Sequence, residues 1–311
     1  MKVKQKMKIL LNVSLLLALS TSQLSFADSN EDAMALIKKG DYSGALKIIQ
    51  PIANKGDANA QAYLGMMYAR GLGVKQDYAE AVRWYTLSSN QGDANAEYNL
   101  GLMNENGMGV KQNYAEALKL YRLAATQGMP EAQDNLGLMY DRGLGTPQDY
   151  SEAMKWHKMA ADQGLGTAQF QVGFMYRNGL GVKQDYSEAV KWYQRSVLQG
   201  YAPAQSDLGM MYINAQGVTQ DFTEAGKLIK LSAEQGFSTA QTNLGVLYRI
   251  GKGLAKDETK ALMWFKLASM SGDAQAIQRR DQLSSQLPPQ AVAQADKLAI
   301  ECKQKKFKSC D

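Results

Sequence analysis

A chain of 311 residues with 45% apolar and 21% charged residues has material for a folded body and no polyelectrolyte character. Its net charge of +5 is uneven: Lys2, Lys4, Lys6 and Lys8 supply four of the five charges, residues 1–27 hold no acid, and the remainder carries only about +1. That balance excludes the extended basic footprint of a nucleic-acid binder, and one histidine with two late cysteines excludes a transition-metal cluster.

The chain begins with those four lysines, then an apolar run from Ile9 to Leu19, then Ser25-Phe26-Ala27 before Asp28. This order predicts a cleaved secretory signal peptide over residues 1–27, since the apolar run is too short to span a bilayer. With no cysteine at the junction and no later apolar span, the expected product is periplasmic or secreted, without lipid anchor or stable membrane insertion.

Glycine then recurs with a fixed step. Gly56, Gly92, Gly128, Gly164, Gly200, Gly236 and Gly272 are each 36 positions apart. The series from Gly65 to Gly245 and from Gly73 to Gly253 keep the same step, as do DYAEAV, NYAEAL, DYSEAM, DYSEAV and DFTEAG. A fixed period of this length marks a repeat architecture. Six units run over residues 60–275, preceded by a shorter relative, Gly40 to Gly56, within an N-terminal capping half-repeat at 28–59.

Each unit reads as two helices. The first, AQAYLGMMYARG (60–71), places Ala60, Leu64, Met67 and Tyr68 on one apolar face and stops at Gly71, where a left-handed cap is predicted. The second starts at Asp77, with Glu80 at the third position of a capping box. Its apolar face is Tyr78, Ala81, Trp84, Tyr85 and Leu87. Gly65 within the first helix costs up to about 1 kcal/mol of propensity, so a close approach of neighbouring backbones is expected there. One hairpin cannot bury both faces, so the predicted fold is an all-α, right-handed superhelical α-solenoid of stacked helix–turn–helix repeats. After the repeats, Asp273 to Leu283 and, beyond Pro288-Pro289, Gln290 to Lys303 read as capping helices within a C-terminal region at 276–311. Cys302 and Cys310, a lone pair in an oxidising compartment, are expected to form one disulfide.

The stretch GLGVKQDYAEAV (71–82) imitates a phosphate loop, but it recurs in nearly every unit and follows a helix, not a strand. Its Lys75 is replaced by Pro147, Thr219 and Ala255 in other units, so it reads as a structural turn. His157, the only histidine, stands in the column of Tyr85, Tyr121, Tyr193, Ile229 and Phe265 and reads as a packing residue. No cofactor or metal is expected.

The shared pattern A-x-x-x-L-G-x-M-Y-x-x-G-x-G-V-x-Q-D-Y-x-E-A-x-x-W-Y-x-x-(A/S)-x-x-Q-G resembles the Sel1-like repeat, a relative of the tetratricopeptide repeat, and covers nearly all of the chain after the signal. The resemblance implies a non-catalytic adaptor in the bacterial envelope that binds a protein or peptide. A β-lactamase-like or penicillin-interacting hydrolase, suggested by cysteine-rich relatives, lacks the S-x-x-K, S-D-N and K-T-G motifs here. A peptidoglycan or exopolysaccharide binder is the third reading. Unit five departs from the pattern at Ala215, Gln216 and Gly226, and unit six at Glu258, so looser packing is expected in both.

Columns that change between units mark a candidate partner surface. One is Ala62, Tyr98, Asp134, Phe170, Ser206 and Thr242; the next is Tyr63, Asn99, Asn135, Gln171, Asp207 and Asn243. Seven residues on lie Arg70, Asn106, Arg142, Asn178, Asn214 and Ile250, on the same helical stripe. By resemblance to tetratricopeptide proteins, first helices line a concave groove. The amides would pair with peptide N–H and C=O groups, and Tyr98 and Phe170 would supply aromatic anchors.

Overall fold

The computed structural model describes residues 31–308 and 310, and the predicted signal peptide lies outside them. Regular structure among the described residues is helical throughout, in two compact units that meet in sequence at Gln148 and Asp149. The first unit contains α1 (31–38), α2 (Tyr42–Asn54), α3 (Ala58–Arg70), α4 (Tyr78–Ser89), α5 (Ala94–Asn106), α6 (Tyr114–Thr126) and α7 (Pro130–Arg142). The second contains α8 (Tyr150–Asp162), α9 (Gly166–Asn178), α10 (Tyr186–Leu198), α11 (Ala202–Asn214), α12 (Phe222–Ala233), α13 (Ser238–Ile250), α14 (Glu258–Ser269), α15 (Ala274–Ser284) and α16 (Pro289–Gln304). Successive helices pack on one another from α2 to α7 in the first unit and from α8 to α15 in the second, and α16 packs on α14.

The repeat loop explains the glycine spacing. Gly71 takes φ 68° and ψ 37°, and its N–H closes α3 onto the Met67 carbonyl. Gly109 is needed for a different reason: a β-carbon there would lie 2.4 Å from the carbonyl oxygen of Tyr78, in the previous repeat. The Asp77 carboxylate caps α4 by accepting from Ala79 N and Glu80 N. The reciprocal half of the predicted capping box is not made. Asp77 N donates instead to Tyr68 O at 3.0 Å, tying the loop to the end of α3. Glu80, released from that role, pairs with Arg83 at 3.2 Å. Gln76 clamps the same loop, its Nε2 donating to Ala69 O at 2.8 Å, and Gln112, Gln148, Gln184 and Gln220 repeat the bond.

Leu64, Met67, Trp84 and Ile49 form one buried cluster, and Ala81, Tyr85, Leu100 and Met103 the next. Fully burying each large side chain contributes about 1.5–3 kcal/mol. Two residues assigned to the apolar face of α4 lie outside it: Tyr78 and Leu87 are each 38% exposed. Tyr78 opens the helix and meets Gln76 Nε2 through its hydroxyl, while Leu87 joins an exposed row with Leu123 of α6. Gly65 makes room for a ring rather than for a backbone, since its β-carbon would stand 2.8 Å from Tyr85 Cδ1. At Gly209 and Gly245 the carbonyls of Ala225 and Ala261 also come within 3.2 and 3.0 Å.

At Ala215 and Glu258 the departures in units five and six leave the helix ends in place. Ala215 adopts the left-handed cap itself, at φ 55°, and its N–H still reaches Met211 O. Glu258 opens α14 in place of the aromatic and pairs with Lys256 at 3.0 Å. The end of the second unit is densely packed: Leu262, Met263, Trp264 and Phe265 of α14 are all fully buried. Cys302 and Cys310 are joined by a disulfide and belong to the same core cluster. His157 is 1% exposed, inside the core.

Candidate binding site on the first helices

The variable columns fall into three layers. Ala62, Asp134, Ser206 and Thr242 are buried, with Tyr98 and Phe170 half-buried beside them. Tyr63, Asn99, Asn135, Gln171, Asp207 and Asn243 are half-buried, and Arg70, Asn106, Arg142, Asn178, Asn214 and Ile250 are exposed. The layering follows from helix geometry, because Tyr63 and Arg70 share an i, i+7 stripe that lies off the arc of the buried Leu64, Gly65 and Met67.

In the first unit, Tyr63, Arg70 and Asn99 come together. With Met34 of α1, Met66, Tyr85 and Asn95 they line a pocket of about 320 Å³ between successive first helices. A second group links Tyr98, Tyr121 and Asn135: the two rings stand 5.9 Å apart, and the Asn135 amide opposes the upward pKa shift that burial gives both hydroxyls. Tyr121 in turn donates to Glu105 Oε2 at 2.6 Å. Burial pushes the Tyr121 and Tyr85 hydroxyls well above the usual phenol range, so both stay protonated donors at neutral pH.

In the second unit, Asp207 accepts from Arg177 at 3.0 Å and from the Tyr193 hydroxyl at 3.2 Å. Burial raises the Asp207 carboxyl above its ordinary value, opposed by the Arg177 guanidinium. Phe170 packs on Tyr193, Tyr201 and Phe174 with ring centroids 5.6, 5.4 and 6.4 Å away. Phe174 is 38% exposed, so this aromatic group reaches the surface.

Several predicted contact groups are already engaged. The Nδ2 donors of Asn99, Asn106 and Asn178 bond the carbonyls of Asn95, Leu102 and Phe174, four residues back on their own helices. These amides therefore offer a partner their oxygens first. Glu105, Arg177 and the hydroxyls of Tyr85, Tyr121 and Tyr193 were absent from the predicted set. The signal that marks them is the column Ala69, Glu105, Asp141, Arg177, Ile213 and Arg249, which changes sign and size from unit to unit. Among the described residues no group of three histidine, cysteine or acidic side chains is arranged to hold a metal ion.

Stacked 36-residue helix pairs, constant in their packing columns and variable along their first helices, define a helical-repeat protein. The family model of the Sel1 repeat matches residues 58–93, 94–129, 130–165, 166–201, 202–237 and 238–273, and the chain belongs to the Sel1-repeat family. Each matched segment begins at the start of a first helix. Among solved structures, the chain is 33% identical to a Sel1 repeat protein from Oxalobacter formigenes, covering 78% of this chain and 96% of that one, with a TM-score of 0.73. It is 34% identical to a protective antigen present in uropathogenic Escherichia coli strains that displays an SLR fold, with a TM-score of 0.72. That match covers 93% of this chain and 64% of the antigen. No curated protein gave a significant match.

Proposed function

We propose that the chain is an exported, non-catalytic scaffold that binds a protein or peptide partner along the first helices of its repeats. Sel1 repeats mediate protein–protein interaction, which is the class-level basis for this reading. The observation that carries it to these residues is the pocket where Tyr63, Arg70 and Asn99 converge from two adjacent repeats. Mixed polar and apolar walls at this volume suit one or two side chains of a partner, with the exposed column of Arg70, Asn106 and Arg142 forming a polar rim. In the second unit, the aromatic group around Phe170 offers an apolar anchor point of the kind that dominates binding energy at interfaces.

Site-directed photocrosslinking in envelope extracts tests the reading. A crosslinker at 63, 99 or 106 is expected to capture a discrete partner, and the same crosslinker at Leu87 on a second helix is not. Combined R70E and R142E substitutions are expected to weaken capture at least about tenfold while leaving the helical circular dichroism unchanged, since both side chains are exposed. Equal capture from Leu87, or capture unaffected by both charge reversals, removes the assignment. Export is tested separately, by the N-terminal residue of the processed protein, expected at Asp28.

A further inference from the structure

The repeats provide an internal control for the pocket at Arg70. Below three of the first-helix stripes sits a second-helix tyrosine, Tyr85, Tyr121 or Tyr193, whose hydroxyl needs an acceptor. Tyr121 donates to Glu105 Oε2 at 2.6 Å, and Tyr193 donates to Asp207 Oδ2 at 3.2 Å, where the carboxylate also receives Arg177. Two columns thus supply the carboxylate: the one containing Glu105 and the one containing Asp207. At Tyr85 the same two columns hold Ala69 and Asn99, neither of which carries charge. Arg70 lies in the same pocket and makes no ion pair among the described residues. Asp93 also lines this pocket, but its carboxylate caps α5 by accepting from Ala96 N, so among the described residues the repeat presents a guanidinium and a phenol donor with no carboxylate bonded to either.

We propose that Arg70 and Tyr85 form a receptor for a carboxylate carried by the bound partner, placed where Asp207 Oδ2 stands in the second unit. The assignment rests on the reading of the first helices as the partner surface and names the chemistry recognised there. Arg70 provides planar N–H donors suited to a carboxylate, and Tyr85 adds an O–H donor. Around them, Met34, Met66 and Tyr63 offer apolar contact to the body bearing the acid. Asn99, with its Nδ2 turned to Asn95 O, presents its oxygen to a donor on the ligand, such as a peptide N–H. The matching ligand is a carboxylate on a small apolar residue, and both a peptide C-terminus and an acidic side chain beside an apolar residue provide it.

The test uses the full chain with arginine and asparagine side chains labelled for ¹H–¹⁵N NMR. Three blocked peptides are the probes: N-acetyl-Ala-Leu with a free carboxylate, N-acetyl-Ala-Leu-amide, and N-acetyl-Ala-Glu-Leu-amide. The first or the third is expected to shift the Arg70 Nε–H and Asn99 Nδ2–H signals, and the fully neutral peptide is not. A response to the first alone identifies a C-terminus; a response to the third alone identifies an acidic side chain. R70M is expected to weaken binding at least about tenfold. N99D supplies the missing carboxylate from within, and is expected to abolish probe binding while raising the melting temperature. The proposal fails if none of the three perturbs these signals up to about 10 mM, a limit that already allows millimolar affinity. It also fails if the neutral peptide binds as well as the acids, or if N99D binds them unchanged. Crosslinking at 63 and 99 that persists while the acids fail removes the carboxylate and spares the partner surface. Acid binding without crosslinks does the reverse.

Discussion

Gly101 of α5 lies directly beneath the ring of Tyr121: a β-carbon on the glycine would stand 2.7 Å from Tyr121 Cε1. The glycine is thus half of a lock, and its helix-propensity cost of up to about 1 kcal/mol is offset by the ring it admits. G101A is expected to lower stability, because overpacking typically costs about 1–3 kcal/mol and the tyrosine is fully buried with its hydroxyl held by Glu105. Urea unfolding measures this. A second substitution, Y121L, should recover part of the loss in G101A and destabilise the parent, so the two changes are non-additive.

Glu97 departs from a glutamine column. Gln61, Gln133, Gln169 and Gln241 each donate to a carbonyl eight residues back, at 3.1–3.3 Å. At Glu97, 3% exposed, only a protonated carboxyl could donate to the corresponding Ser89 oxygen. Burial raises its pKa above the ordinary value, with Asp93 adding to the shift and Gln127 opposing it. A raised folded-state pKa means that the native state keeps its proton longer than the unfolded chain. Stability from this site is therefore fully present below the unfolded value, falls as pH rises through the interval up to the folded value, and is absent above it. E97Q is expected to flatten that slope and to add about 1 kcal/mol at neutral pH through the restored hydrogen bond. Melting temperatures from pH 4 to 8, for both proteins, check the sign.

The Cys302–Cys310 bridge closes an eight-residue separation and sits inside the last core cluster. Replacing both cysteines by serine should cost the second unit about 2.5 kcal/mol on a loop-closure basis. The polar replacements add to this, because Cys302 and Cys310 are 1% and 7% exposed. Hydrogen exchange is the direct readout, with α14 and α16 losing protection before α9 and α10.

Ala215 holds a left-handed cap at φ 55° where glycine serves in the neighbouring repeats. Relief of that strain, about 1–2 kcal/mol, exceeds the entropic cost of glycine by a small margin. A215G is therefore expected to stabilise by about 0.5 kcal/mol, seen as a melting temperature about 1–2 °C higher.

The architecture was legible in the sequence because a 36-residue period repeats every signal several times, so Gly71, Asp77 and Trp84 each have echoes that separate rule from accident. What stayed hidden was side-chain direction. Glu80 looked like half of a capping box, yet the Asp77 amide it would serve is taken by Tyr68 O, a contact no pattern reveals. Tyr78 and Leu87 shared helical spacing with the core and still faced outward. The variable columns on the first helices were visible, but their internal uses were not. Asp207 is consumed by Arg177 and Tyr193, while Arg70, in an adjacent column, stands in an open pocket. The difference lies in which residue each repeat places opposite a tyrosine one helix away.

Two sets of polar links between helices share one more property. Ser88 Oγ donates to Ala58 O, Ser196 Oγ to Gly166 O and Ser232 Oγ to Ala202 O, each across a separation of 30 residues. Gln91 to Gln61, Gln199 to Gln169 and Gln235 to Gln205 span the same distance. Each such staple begins and ends inside one repeat. A whole repeat can therefore be copied or excised as a cassette without leaving any of these staples cut, whereas loss of a single residue within it shifts their partners out of register. Growth and shrinkage of such a chain by complete repeats is the evolutionary path of least disruption.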